Sequence, residues 1–290
     1  MSQDPFVIHR SLLFTVAYEI LGSAVDAEDA VQETWVRWAG VDQTEVRDPR
    51  AYLVRIVTRR ALDRLRTLAR RREEYIGPWL PEPLLTTPDV ADDVELTEHV
   101  SIAMLTVLET LGPAERAVFV LREVFDFPYE EIAAAVDKSP AAVRQIAHRA
   151  RRHVAARRPR MQVDPGERAR VVERFLAALS TGDVRDLMDV LAPDVVLVAD
   201  GGGLAAAAGR PVEGARRVTA FLSALSRWAP DAQIGTLWVN GALGARIVRA
   251  GEIDTVVTFV ADDDRITHIH AIRNPDKLRR VAEPAPLARG

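Results

Sequence analysis

Two groups of residues carry side chains and spacings that could do chemistry. The first is Arg144, Gln145, His148, Arg149 and Arg152, which recur at helical spacing within Lys138 to Val163, a span with no Asp or Glu. Arg and Gln present donors and acceptors that match the major-groove edges of guanine and adenine in two-point contacts, and guanidinium groups hold phosphates. The second is His268 and His270, alternate residues of an expected strand, with Asp194 and Asp200 as carboxylates to complete a general acid–base set. Spacing alone supplies no His–carboxylate geometry, so the pair reads as polar lining of a strand end. A metal is not indicated either, because histidines at i and i+2 need a third ligand that the sequence does not identify. The run Asp200-Gly201-Gly202-Gly203 is no phosphate loop, since neither Lys-Ser/Thr nor a helix start follows it. Its glycines suit a tight backbone approach or a hinge. The reading is therefore no catalytic residue, no metal and no cofactor.

Behind the first group stand two short helices. Pro128 and Tyr129 open one, with Ile132, Ala133 and Val136 on its apolar face, and Asp137-Lys138 breaks it. Ser139 is placed to cap a second helix, and Pro140 suits its first position. Val143, Ile146 and Ala150 then face inward, leaving the basic residues outward. Two helices across so short a turn read as a helix-turn-helix with a basic recognition helix, in preference to a solvated helix pair.

Upstream, residues 6–21 repeat apolar positions at helical period and stop at Gly22. Asp26 caps a helix through Ala27, Ala30, Val31, Trp35 and Trp38, whose exposed face carries Asp29, Gln32, Glu33 and Arg37. Asp48-Pro49 begin a third helix, with a ladder of Arg55, Arg59, Arg60, Arg64, Arg66 and Arg70 to Arg72 that fits a DNA backbone. Trp35, Trp38 and Tyr52 can stack on unpaired bases; core packing is the preferred reading for Trp35 and Tyr52.

At 290 residues the chain has room for two or three domains, with a net charge of −4 that argues against indiscriminate nucleic-acid binding. It has no cysteine, which excludes disulfides, thiolate zinc and cysteine nucleophiles. Only Lys138 and Lys277 are lysines, so nearly all positive charge is arginine. No signal-peptide pattern or membrane-length apolar run is present, which points to the cytoplasm.

Between Arg72 and Arg116 there is no Lys or Arg; Glu82, Asp89, Asp92, Asp93, Glu95 and Glu98 occur there, with four prolines in GPWLPEPLLTTPD. Such a segment stays extended. Trp79 and Leu80 favour a masking role over a plain tether, which has no use for large apolar side chains. Helices resume from Val94 to Leu111 and from Ala114 to Phe125. Beyond Pro165 come helices bearing Val171, Val172, Phe175, Leu176 and Leu179, then Val184, Leu187, Met188 and Leu191. A strand at 195–199 follows, then a helix with Val218, Phe221, Leu222 and Leu225, and strands at 233–239, 244–250, 253–260 and 265–272. Helices first and an antiparallel sheet after them indicate an α+β domain. On the last strand, period two puts Ile266, His268, His270 and Ile272 on one face.

DAEDAVQETWVRW at 26–38, DPRAYLVRIVTRRALDRLR at 48–66 and the helix-turn-helix at 128–157 stand in the order found in bacterial RNA polymerase sigma factors. The chain resembles the extracytoplasmic-function class. WLPEP at 79–83, DGGG at 200–203 and NPDKL at 274–278 further resemble its subgroup with a fused SnoaL-like domain, although Leu204 stands where that pattern usually has Arg. The resemblance implies a multidomain chain: two all-α sigma domains at 1–73 and 99–162, joined by a linker at 74–98, then a SnoaL-like, ketosteroid-isomerase-like α+β cone at 163–290. It implies that Asp29, Gln32, Glu33 and Arg37 dock on the polymerase core clamp. Arg55, Arg59, Arg60 and Arg64 would serve the −10 element, and Arg144, Gln145, His148, Arg149 and Arg152 the −35 element. It also implies regulation in cis through Trp79, Leu80, Pro81, Asp200, Gly201, Gly202, Gly203, Asn274, Pro275, Asp276, Lys277 and Leu278. Core polymerase and promoter DNA are the expected partners, a small-molecule ligand in the cone a third, with no membrane. Two other readings stay open: a one-component, ligand-sensing helix-turn-helix regulator, and a SnoaL-type enzyme fused to a DNA-binding module.

Overall fold

The structure, a computed structural model, describes residues 4–88, 90, 93–158, 165–229, 231–281, 283–285 and 287–289. The side chains of Arg70 to Arg72, Asp89, Asp92 and Glu95, named above, lie outside the described residues. Along the chain run α1 (Pro5–Leu21), α2 (Ala24–Ala39), α3 (Pro49–Glu73), α4 (Val94–Val100), α5 (Ile102–Leu108), α6 (Pro113–Phe119), α7 (Tyr129–Val136) and α8 (Pro140–Ala155). Then come α9 (Pro165–Thr181), α10 (Val184–Val190), β1 (Leu191–Asp200), β2 (Val212–Glu213), α11 (Ala215–Trp228), β3 (Gln233–Val239), β4 (Ala242–Arg249), β5 (Glu252–Asp262), β6 (Arg265–Ile272) and α12 (Pro275–Leu278). They form two compact units. One holds Met1–Glu74, Met104–Arg158 and Ala285–Gly290; the other holds Tyr75–Ala103 and Pro159–Pro284. Among the described residues no helix is long and apolar enough to cross a membrane.

The first unit is all helical, and its starts and stops are written locally. Asp4 accepts from Phe6 N at 2.8 Å to cap α1, and Gly22, at φ +67°, ends it. Ser23 caps α2 by accepting from Asp26 N at 3.2 Å. The cap thus lies three residues before the one expected at Asp26. Trp38 is the core aromatic of α2, fully buried with its Nε1 donating to Asp4 Oδ1 at 2.9 Å. Trp35, expected in the core, is 41% exposed beside Phe6, at the edge of the buried stripe that runs through Ala27, Val31, Thr34 and Trp38. Tyr52 is half-buried against Trp38. The expected helix to Phe125 instead passes from α6 into a π turn, Val120–Val124. The 94–111 stretch likewise breaks at Ser101 into α4 and α5. Within this unit α3 packs on α7, and α1 on α6 and the π turn.

The second unit is a six-stranded sheet in the order β2-β1-β6-β5-β4-β3. It is mixed, not antiparallel throughout: β1 starts at Leu191, earlier than expected, and runs parallel to β6. On one face Val172, Phe175, Leu187, Val218 and Leu222 of α9–α11 pack against Leu197, Ala199, Phe259 and Ile269, with Phe175 and Phe259 edge to face at 5.3 Å. The other face carries Leu80, Val239, Val256, Ile272, Leu278 and Val281. A register slip between Val260 and Ala261 puts Ile266 and Ile269 together in the helix-side core. The expected common face of Ile266 with His268, His270 and Ile272 is therefore split.

Candidate functional site

In the helix-turn-helix, Asp137 at φ +56° ends α7, and Ser139 Oγ accepts from Ala142 N at 3.2 Å at the start of α8. Val143, Ile146, Ala147, Ala150 and Val154 are buried, which leaves Arg144, Gln145, His148, Arg149 and Arg152 exposed on one surface. Acids from other helices reach this surface: Glu130 pairs with Arg144 at 3.2 Å, Glu115 approaches Arg149 at 3.9 Å, and Glu123 grips Arg151 through two bonds of 3.0 and 2.8 Å. Exposed pairs of this kind contribute on the order of 0–1 kcal/mol, so a phosphate or guanine can replace the carboxylate.

The four residues expected to meet polymerase and two of the four −10 arginines come together. Asp29, Gln32, Glu33, Arg37, Arg60 and Arg64 line one groove of about 800 Å³. Arg64 reaches Asp26 and Asp29 at 3.1 Å and Glu33 at 2.8 Å, while Arg60 meets Glu33 at 3.4 Å. Arg55 and Arg59 lie elsewhere. Arg55 lies 5.1 Å from the Tyr52 ring centre, and Arg59 donates to the Ala134 carbonyl of α7 at 2.8 Å. Positions 60 and 64 share one helical stripe and 55 and 59 another, so the ladder serves two surfaces.

Between the helical modules lies a buried ion cluster. Arg116, 1% exposed, donates from Nε to the Glu19 carbonyl at 2.9 Å and pairs with Glu109. Among the described residues neither carboxylate oxygen of Glu19 has a hydrogen-bond partner. Burial pushes this carboxyl up to about 8 against the opposing pull of Arg116 and Arg289. Burial draws the Arg116 guanidinium down, with Glu19 opposing.

In the second unit WLPEP, DGGG and NPDKL converge on Asp200. Lys277 Nζ donates to Asp200 Oδ2 at 2.7 Å and to the Leu80 carbonyl at 2.5 Å, 4.2 Å from the Trp79 ring centre. Leu80 N donates to Asp200 Oδ2 at 2.8 Å, and Gly202 N to Oδ1 at 3.0 Å. Two partners had no signal of such contacts in the sequence. Tyr75 donates to Asp200 Oδ1 at 2.6 Å and accepts from Asn274 Nδ2 at 2.8 Å; burial and the bond to Asp200 push its phenol up. Asn240 accepts from Leu84 N at 2.9 Å and donates to the Val100 carbonyl at 2.7 Å. Leu85 bridges Val239 on the edge strand β3, and Thr86 N bonds the Trp238 carbonyl. The Tyr75–Ala103 segment is thus stitched to the sheet. A Cβ on Gly201 would fall 2.1 Å from the Ala205 carbonyl oxygen, and one on Gly202 2.3 Å from Asn274 Nδ2, so DGGG is built for close backbone approach. Pro81 is buried, Leu278 is in the core, and Asp276 N bonds Asn274 Oδ1 where Pro275 starts α12.

The histidines stack at 6.1 Å on the face away from α9–α11. Burial, then the neighbouring His268, pulls His270 down to about 3, and its Nδ1 is unpartnered. Burial also lowers His268, against Asp194. Asp200 shares the sheet face but spends its oxygens on Lys277, Tyr75, Leu80 and Gly202.

Residues 6–71 match the Sigma-70 region 2 family and residues 101–154 the Sigma-70, region 4 family. The chain is 38% identical over 294 residues to the ECF RNA polymerase sigma factor SigJ of Mycobacterium tuberculosis, covering 96% of this chain and 93% of that protein. It is 34% identical to a protein of the same organism described as "Probable ECF RNA polymerase sigma factor SigI", covering 93% and 92%. The crystal structure of the M. tuberculosis extracytoplasmic function sigma factor SigJ superposes with a TM-score of 0.79 at 36% identity, covering 96% of this chain and 98% of that one. With two helical modules followed by a SnoaL-like α+β cone, the chain belongs to the extracytoplasmic-function sigma factors of RNA polymerase.

Proposed function

We propose that this sigma factor is held in a resting form by its own C-terminal domain, acting through the segment between the two helical modules. The observation that carries the reading is the clamp of Asp200, Lys277, Tyr75 and Leu80. The −10 and −35 elements lie roughly 25 base pairs apart, about two and a half turns or ~85 Å of duplex. Modules in the packed arrangement, with Arg59 bonded to Ala134, cannot reach both at once. The segment Tyr75–Ala103 would span roughly 95 Å if fully extended, at about 3.3 Å per residue. Stitched to the sheet, it loses most of that reach. Release of the clamp gives it back.

In the open form Asp29, Gln32, Glu33 and Arg37 bind the polymerase clamp, and Arg60 and Arg64 exchange their carboxylate partners as they take up the −10 strand with Arg55 and Arg59. Arg144, Gln145, His148 and Arg149 read the −35 base edges while Arg152 holds phosphate. The module limits follow the sequence reading, 1–73, 74–98, 99–162 and 163–290. We assign the chain no catalysis of its own: burial pulls His270 down to about 3, too weak a base for proton transfer near neutral pH. A ligand of the cone, if it acts, does so by loosening the clamp, because side chains of α9–α11 occupy the helix-facing side of the sheet. In-vitro transcription with core polymerase tests the reading: full-length Lys277→Ala, and separately deletion of 165–290 with the linker kept, should each change output from the cognate promoter. Unchanged output in both removes regulation in cis. Retained output with His270→Ala agrees with the non-catalytic assignment.

A further inference from the structure

Residues 285–290 include two that reach across both helical modules. Ala285–Gly290 belongs to the first unit. There the main-chain N–H of Ala288 donates to Thr15 Oγ1 at 3.0 Å, and Arg289 Nε and Nη2 both donate to the Val124 carbonyl, at 3.1 and 2.9 Å. Thr15 is on α1, in the first module; Val124 ends the π turn that leads into the helix-turn-helix, in the second. Two adjacent residues therefore hold both modules.

Both acceptors suit the task. A π turn shifts the backbone ladder, and such turns collect functional contacts. Thr15 gives its own hydroxyl proton to the Ser11 carbonyl at 2.8 Å, so a lone pair remains for Ala288. A guanidinium gripping one carbonyl through two N–H groups is charge-assisted and holds more than a neutral bond. The Arg289 charge also acts on Glu19, in the interface the tail crosses.

We propose that Ala288 and Arg289 form a strap that fastens the first helical module to the second in the resting chain, and that it lets go when the modules part. The strap deepens the resting-form reading above and rests on it for its purpose, though not for its existence. Hydrogen–deuterium exchange on full-length protein tests it. Arg289→Ala and a chain ending at Leu287 should each raise exchange of the amides of α1 and residues 120–127 about tenfold, with Arg289→Lys between them and the parent. Exchange within about twofold of the parent in both variants overturns the strap, whatever Lys277→Ala does to transcription. Faster exchange in both, with transcription unchanged by Lys277→Ala and by deletion of 165–290 alike, keeps the strap and sinks the regulatory reading instead.

Discussion

The Asp200–Lys277 pair sits where water does not reach, with side chains 0% and 7% exposed. Such a pair is costly to break from one side, since the remaining charge stays buried without its partner. Asp200→Asn or Lys277→Met alone should destabilise the second unit by about 3–5 kcal/mol, and the double substitution by clearly less than their sum. Urea unfolding followed by circular dichroism checks this; additive losses would mean that the two are not coupled. Glu19 poses the opposite problem, a carboxyl whose folded pKa, about 8, lies above its unfolded value. The folded state therefore holds its proton more tightly. Module packing should be firmest at and below about pH 5 and weaken as pH rises toward 8, by on the order of a few kcal/mol. Glu19→Gln should flatten that slope, measured as urea midpoints at pH 5 and pH 8. At this scale the sequence was legible by motif and not by partner. DGGG and NPDKL marked Asp200 and Lys277, yet nothing local joined them, and Asp200 was offered to the histidines instead. Tyr75 carried no signal and Asn240 only that of a turn with Gly241, because each acts on residues more than a hundred positions away.

Elements whose ends are written in adjacent residues came through well. Ser139 and Pro140 start α8 as their chemistry demands, and Gly22 stops α1. What local pattern could not show was the acids of other helices meeting an acid-free stretch, nor the slip at Val260–Ala261 that divided the histidine strand between two faces. For α8 the proposed roles separate two kinds of contact. Gln145→Ala or Arg149→Ala should weaken binding to the cognate −35 sequence by about 1–3 kcal/mol and relax its base preference. Arg152→Ala should weaken binding to all sequences alike and reduce the salt slope by about one. Competition binding by the polymerase holoenzyme across a set of −35 variants, at two salt concentrations, tells them apart. A uniform loss from Gln145→Ala would remove it from base reading. Ser139→Ala, by loss of the cap alone, should cost about 1 kcal/mol of stability and leave base preference unchanged.

For the whole molecule, the proposed resting form makes the free length of chain between the helical modules the controlling quantity. While Leu80, Leu84 and Thr86 are bonded to the sheet, Tyr75–Ala103 contributes little reach, and the packed modules lose little entropy by staying together. Freeing that segment adds loop entropy to the open form only, and core polymerase then draws on a larger open population. The chain has no cysteine, so fluorophores can be placed at single introduced thiols; Gln43→Cys and Ala156→Cys are exposed and lie outside every proposed contact. With core polymerase present, Asp200→Ala should raise the long-distance fraction between these labels about five- to tenfold over the parent, the shift expected for a change near 1 kcal/mol. Polymerase alone should move the parent less. If parent and variant open equally, the clamp does not set the reach of the linker, and the resting form must be held by the contacts between the modules themselves: Arg59 on Ala134, Arg116 on Glu19, and the strap at the chain's end.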